Sequence, residues 1–150
     1  MIAKIRSHHV LAALFVAIGV LLCACSPAVT LETPQGKLKV ESLDYLHRDG
    51  TFNAGDRDRL VLTLTRADKK MFSVDGLNYI IQSGSYLTDN NGKVYTIPDS
   101  VRNAEILDSY TDKFRLEFSG KPGKDRVFTL HWPDNSPLEI EREKHFRLDG

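Results

Sequence analysis

From Lys37 onward the hydrophobic positions recur every second residue, and the chain is punctuated by turns. Leu38 and Val40 alternate with Lys37, Lys39 and Glu41, the mark of a strand with one face on a core. The phase then slips to Leu43 and Tyr45, which predicts a bulge near Ser42. In "RLVLTLT", Leu60, Leu62 and Leu64 share one face and Val61, Thr63 and Thr65 the other, a composition suited to a central strand. "LNYIIQ" and "SYLT", on either side of Ser83-Gly84, read as two further strands, and Asp89-Asn90-Asn91-Gly92 turns the chain into "KVYTI". Pro98 stops that strand. "KFRLEF" sets Phe114, Leu116 and Phe118 inward, "GKPGKD" leads into "RVFTLHW", and Pro133-Asp134-Asn135 into "PLEIER". Only "SVRNAEIL" offers a helical alternative. Seven or eight short strands at this spacing predict an all-β domain over residues 36–150, an antiparallel Ig-like β-sandwich.

The first thirty residues follow another pattern. Lys4 and Arg6 precede an apolar run from Val10 to Leu22, 13 residues long. A bilayer-spanning helix needs about 20, so the run reads as the centre of an export signal. A retained anchor or buried helix is the alternative. Both cysteines follow at once, and none comes later. Leu22-Cys23-Ala24-Cys25 resembles the bacterial lipobox, in which a Leu and two small residues precede the cysteine that becomes the lipidated N-terminus. The resemblance implies that residues 1–24 are a cleaved signal peptide and that Cys25 carries the lipid. Cleavage near Ala24 or Ala28, giving a soluble exported protein, is the competing reading. Several acyl chains anchor firmly where one binds reversibly. Ser26, in place of Asp, implies sorting to the outer membrane, facing the periplasm, in a Gram-negative host. Residues 25–35 read as the lipidated N-terminus and a tether, and Ser26 to Gln35, with Pro27 and Pro34, reach at most about 33 Å at about 3.3 Å per residue.

Composition narrows the functional classes. Lys and Arg balance Asp and Glu, so no basic face points to nucleic acid. Loss of Cys23 and blocking of Cys25 leave no thiol for an oxidising compartment, so neither a disulfide nor a cysteine nucleophile is expected. No Gly-X-Ser-X-Gly elbow occurs, and His47, His131 and His145 lie in separate segments without ligand spacing. Asp56, Asp58 and Asp89-Asn90-Asn91 offer oxygens, yet without the spacing of a calcium loop. Glu139, Glu141 and Glu143 line one face of the last strand, where charges guard a sheet edge more readily than they hydrolyse glycosides. Trp132, which closes the Phe128-Leu130 alternation, reads as core.

"GDRDRLVLTLTRA" followed by "YLTDNNGKVYTI" resembles the small Ig-like, telokin-like domains of bacterial lipoproteins of uncharacterised function, over Lys37 to Trp132. The chain departs from them in having Ala67-Asp68 where an Asn often ends the second strand. The resemblance brings no catalytic residues, cofactor or metal, and it implies a binding or scaffolding role outside the cytoplasm. The expectation is a non-enzymatic, lipid-anchored envelope protein with a protein partner. Small-ligand or ion binding, protection against an envelope enzyme or toxin, and hydrolysis are the alternatives. Tyr86, Asn90, Asn91 and Tyr95 of one hairpin are the expected partner-facing residues, because Tyr joins area to a polar tip.

Overall fold

The computed structural model describes residues 28–50, 57–103 and 111–148, with side chains as far as Glu143. Eight strands form one mostly antiparallel sheet that is nearly closed into a barrel. They are β1 (Thr30–Thr33), β2 (Gly36–Arg48), β3 (Asp58–Arg66), β4 (Tyr86–Thr88), β5 (Val94–Thr96), β6 (Lys113–Ser119), β7 (Val127–His131) and β8 (Leu138–Leu148). The order is β5-β4-β7-β8-β2-β3-β6, with β1 beside the first half of β2. Between the two ends of this path the Ser119 hydroxyl donates to the Thr96 carbonyl at 3.2 Å.

The predicted inward positions fill a single core. Leu43, Leu60, Leu62, Leu64, Leu116 and Phe118 are fully buried, and Phe128, Leu130 and Trp132 join them from β7 and its end. The bulge falls where the phase slips, between Val40 and Ser42. The Asp89–Gly92 turn joins β4 to β5 as expected. The Gly92 N–H closes the turn on the Asp89 carbonyl, and Gly92 takes a φ of +79°, a left-handed conformation that costs glycine little.

Three elements differ from the sequence reading. "LNYIIQ" is not a strand: it lies within helix α1 (Val74–Gln82). Leu77, Ile80 and Ile81 are spaced three and four apart, and all are buried on one helical face. Ser73 caps the helix by accepting from the Gly76 N–H at 3.1 Å, and Gly84 follows its end with a φ of +74°. The Ile pair favoured a strand, but these end signals prevail. Phe72, just before α1, meets Phe114 of β6 at 6.3 Å, so the helix covers one end of the core. In "SVRNAEIL" a short helix, α2 (Asp99–Arg102), begins right after Pro98; residues 104–110 lie outside the described part.

The segment expected to be a tether is strand from Thr30. Thr30–Thr33 pairs with Gly36–Lys39, Leu31 is fully buried, and the Val40 N–H donates to the Val29 carbonyl at 2.8 Å. The packing of Leu31 outweighs the turn-rich composition around it. Finally, β8 runs antiparallel to β7 over its first half and parallel to β2 over its second, so the sheet is not wholly antiparallel.

Candidate functional site

The four hairpin residues expected to face a partner do not share a surface. Tyr95 is fully buried. The alternation of β5 sends Val94 and Thr96 outward and Tyr95 inward. Its ring stands edge-on to Phe128 at 5.8 Å, and its hydroxyl donates to Asp89 Oδ2 at 3.0 Å. Burial and the Asp89 carboxylate both push its pKa up. Asp89 is thereby committed to its own turn, since Oδ1 also accepts from the backbone N–H of Asn91 and of Lys93, each at 2.9 Å. Burial raises the Asp89 carboxyl, but these hydrogen bonds outweigh it and hold the group below the usual carboxylate range. Asn90 and Asn91 are exposed at the tip, where the Asn91 amide donates to Asp125. Tyr86 lies at the other end of β4. Cys25 and Asp56, and the side chain of His145, lie outside the described part.

Tyr86 belongs instead to a groove that the sequence reading did not assemble. β4 and β7 pair so that Tyr86 stands opposite His131 on the outer face of the sheet. Their rings stack with centroids 4.4 Å apart and planes within 9°, and His131 Nε2 lies 3.1 Å from the Thr88 hydroxyl. A groove of about 280 Å³ runs beside this stack, lined further by Trp132, Pro133, Asn135 and Pro137. None of these residues carries a formal charge while His131 is neutral. Asn135 holds the wall in place: its amide accepts from the Glu32 N–H and donates to the Glu32 and Pro133 carbonyls, each at 2.9 Å. It thus serves as a pairing partner for β1.

Two buried side-chain polar atoms lack a partner among the described residues, Asp44 Oδ1 on β2 and the indole nitrogen of Trp132, a residue of the groove lining. Trp132 is 3% exposed, yet its Nε1–H has no acceptor; an unmet buried donor costs about 1–3 kcal/mol. No family model matches the chain, and no curated protein matches it. The site therefore has to be read from its own chemistry.

A second polar cluster closes the opposite end of the β2–β3 pair. The Tyr45 hydroxyl donates to Asp58 Oδ1 at 2.6 Å, and His47 places Nδ1 2.7 Å from the same oxygen and Nε2 3.0 Å from Asp49. Both ring nitrogens can donate to these carboxylates only when the imidazole is doubly protonated. Burial pushes Asp58 up, but the bonds from Tyr45 and His47 outweigh it and leave its carboxyl lowered. Burial and Asp58 push the Tyr45 phenol up to about 12. The cluster joins two strands and presents no activated nucleophile. His47 and Asp58 are eleven residues apart but register partners, and hairpin register was the signal that could have paired them. No three His, Asp or Glu side chains among the described residues are placed to hold a metal ion.

The outward glutamates of β8 are exposed as expected, with Arg126 paired to Glu141 at 3.2 Å. Residues 138–141 of β8 pair with β7 and 142–148 with β2, so each half has one strand partner among the described residues.

Proposed function

We propose that this chain is a lipid-anchored protein of the cell envelope, held through Cys25, whose domain acts by contact rather than by turnover. The export-type leader and the fit of Leu22-Cys23-Ala24-Cys25 to a lipobox support the anchor. The observation that carries the contact reading is the stacked Tyr86–His131 pair beside a groove lined by no carboxylate, lysine or arginine. Rigid aromatic side chains of this kind give recognition surfaces area at small entropic cost. We also infer an Ig-like layout. The β5-β4-β7-β8 and β2-β3-β6 halves contribute to one core and share β8, as sandwich sheets do when a strand passes between them, which supports that reading.

Two experiments test the proposal. Cys25→Ala moves the protein out of the membrane fraction, whereas Cys23→Ala leaves it there; the reverse pattern overturns the anchor. A photo-crosslinking side chain at Tyr86 captures an envelope protein in intact cells, and the same group at exposed Lys69 does not. Equal capture from both positions overturns the site.

A further inference from the structure

We propose that His47 is a proton-operated clasp between the end of β2 and the start of β3. Its doubly protonated imidazole bridges Asp49 and Asp58, and loss of one proton frees one end of the bridge. No residue of the groove takes part.

The two carboxylates take one ring nitrogen each. Nδ1 lies 2.7 Å from Asp58 Oδ1, and Nε2 lies 3.0 Å from Asp49 Oδ1. The side chains of His47, Asp49 and Asp58 are 28%, 30% and 16% exposed, so water competes only in part for these contacts. A neutral imidazole has one N–H and one lone pair, and an ionised carboxylate only accepts. One of the two contacts would then set lone pair against lone pair. The imidazolium donates at both nitrogens, and charge-assisted bonds of this kind are about twice as strong as neutral ones. Asp58 is not the missing donor. Its Oδ1 also accepts from the Tyr45 hydroxyl at 2.6 Å, and despite burial its carboxyl is held below the usual carboxylate range. It stays ionised where an imidazole titrates, between about pH 5 and about pH 8.

Other charges come from each neighbouring element. On β2 the Tyr45 phenol is neutral in this range, pushed up to about 12 by burial and Asp58, and Arg142 lies over its ring at 5.8 Å. Lys121, past the end of β6, acts on Asp58. On β8, His145 and Arg147 stand opposite Tyr45 and His47 in register. Arg57 donates to the Gly50 carbonyl at 3.3 Å, a second tie that no proton controls. Asp56 lies outside the described residues. Among the described residues the two carboxylates are the groups in hydrogen-bond contact with the ring, so they decide the charge it prefers. The closed clasp holds one proton more than the open one. The tie therefore strengthens as pH falls through the imidazole range and weakens as pH rises. In stronger acid it fails again, once the carboxylates themselves take protons.

Amide hydrogen exchange of the full-length protein in detergent tests the clasp at residues 46–50 and 57–60. Rates are compared at about pH 5.5 and about pH 8, on either side of most of the imidazole range, after correction for intrinsic exchange. Protection at these positions should be about 5- to 10-fold higher at the lower pH, the scale of one partly exposed charge-assisted bond. Residues 62–64, in the middle of β3, should show no such difference. Imidazole nitrogen NMR shifts should report both His47 nitrogens protonated at the lower pH. His47→Gln cannot take a second proton and should abolish the difference. Asp49→Asn should abolish it too, because a carboxamide can donate to the bare ring nitrogen. His145→Gln should preserve it. Equal protection of the wild-type protein at both pH values overturns the proposal without recourse to any variant. So does a difference that survives His47→Gln, one that disappears with His145→Gln, or one that residues 62–64 share.

Discussion

The two halves of the sheet show solvent very different outer faces. On β2-β3-β6 several outward residues form ion pairs, although Asp44 Oδ1 is buried without a partner. Arg48 reaches Glu117 at 2.8 Å, Arg59 reaches the same carboxylate at 3.3 Å, and Arg59 and Val61 are only 2% and 8% exposed. Strand β3 is therefore covered on both sides. On β5-β4-β7 the outward positions are Val94, Thr96, Tyr86, Thr88, Val127, Thr129 and His131. Val94 is 52% exposed and Val127 36%. Both halves are built from the same alternation and feed the same core. One spends its outer polar groups on internal ion pairs. The other presents the stacked Tyr86 and His131 rings, with His131 against the Thr88 hydroxyl, and leaves Val94 and Val127 open to solvent.

The largest expected effect that could break this comparison lies in the covered half. Leu62→Ala should cost about 2–5 kcal/mol in denaturant unfolding. A loss near 0.5 kcal/mol, ordinary for surface sites, would mean that the inner face of β3 does not sit on the core. Glu117→Gln comes next. It keeps the shape but strips the charge facing buried Arg59, and should cost about 2 kcal/mol, discounted from the figure for a fully buried pair because Glu117 is partly open to water. A neutral outcome would show that the covered face is stabilised by packing alone.

Alkaline pH offers a gentler probe of the same half. The Tyr45 pKa is raised in the folded state, so the folded protein holds that proton more tightly than the unfolded chain does. The resulting stability is present below about pH 10 and is lost as pH rises from about 10 towards about 12. Tyr45→Phe should remove this part of the alkaline slope, as measured by unfolding midpoints across that window. An unaltered slope would assign it elsewhere. The smallest effect belongs to the open half: Val94→Thr should change stability by no more than about 0.5 kcal/mol. A larger loss would mean that the exposed face carries structural load.

How much of this was legible in the sequence follows the range of each signal. Leu60, Leu62 and Leu64, the slip near Ser42 and the Asp89–Gly92 turn are encoded within a few residues, and all appear where the pattern puts them. The inward direction of Tyr95 was equally local: Val94 and Thr96 already face out on either side of it. Helix α1 was legible through Ser73 and the 77–80–81 spacing, against the strand preference of two adjacent isoleucines. The groove was not legible. Tyr86 and His131 are 45 positions apart, and strand pairing alone brings them together. Nor does any local pattern announce that β8 will run parallel to β2.

The seating of β1 bears on how freely the domain can move. With the Val29 carbonyl bonded to Val40, only Ser26, Pro27 and Ala28 would separate the proposed lipid on Cys25 from fixed structure. Four steps of about 3.3 Å span about 13 Å, well under half the reach of an eleven-residue leash. Such a domain would pivot close to the headgroups, with its flank at β1 always nearest them. The groove shares that flank through Asn135 and Glu32. A partner would then be met by lateral diffusion within a thin layer above the bilayer, and ligands fixed in that layer would be favoured over those deeper in the compartment.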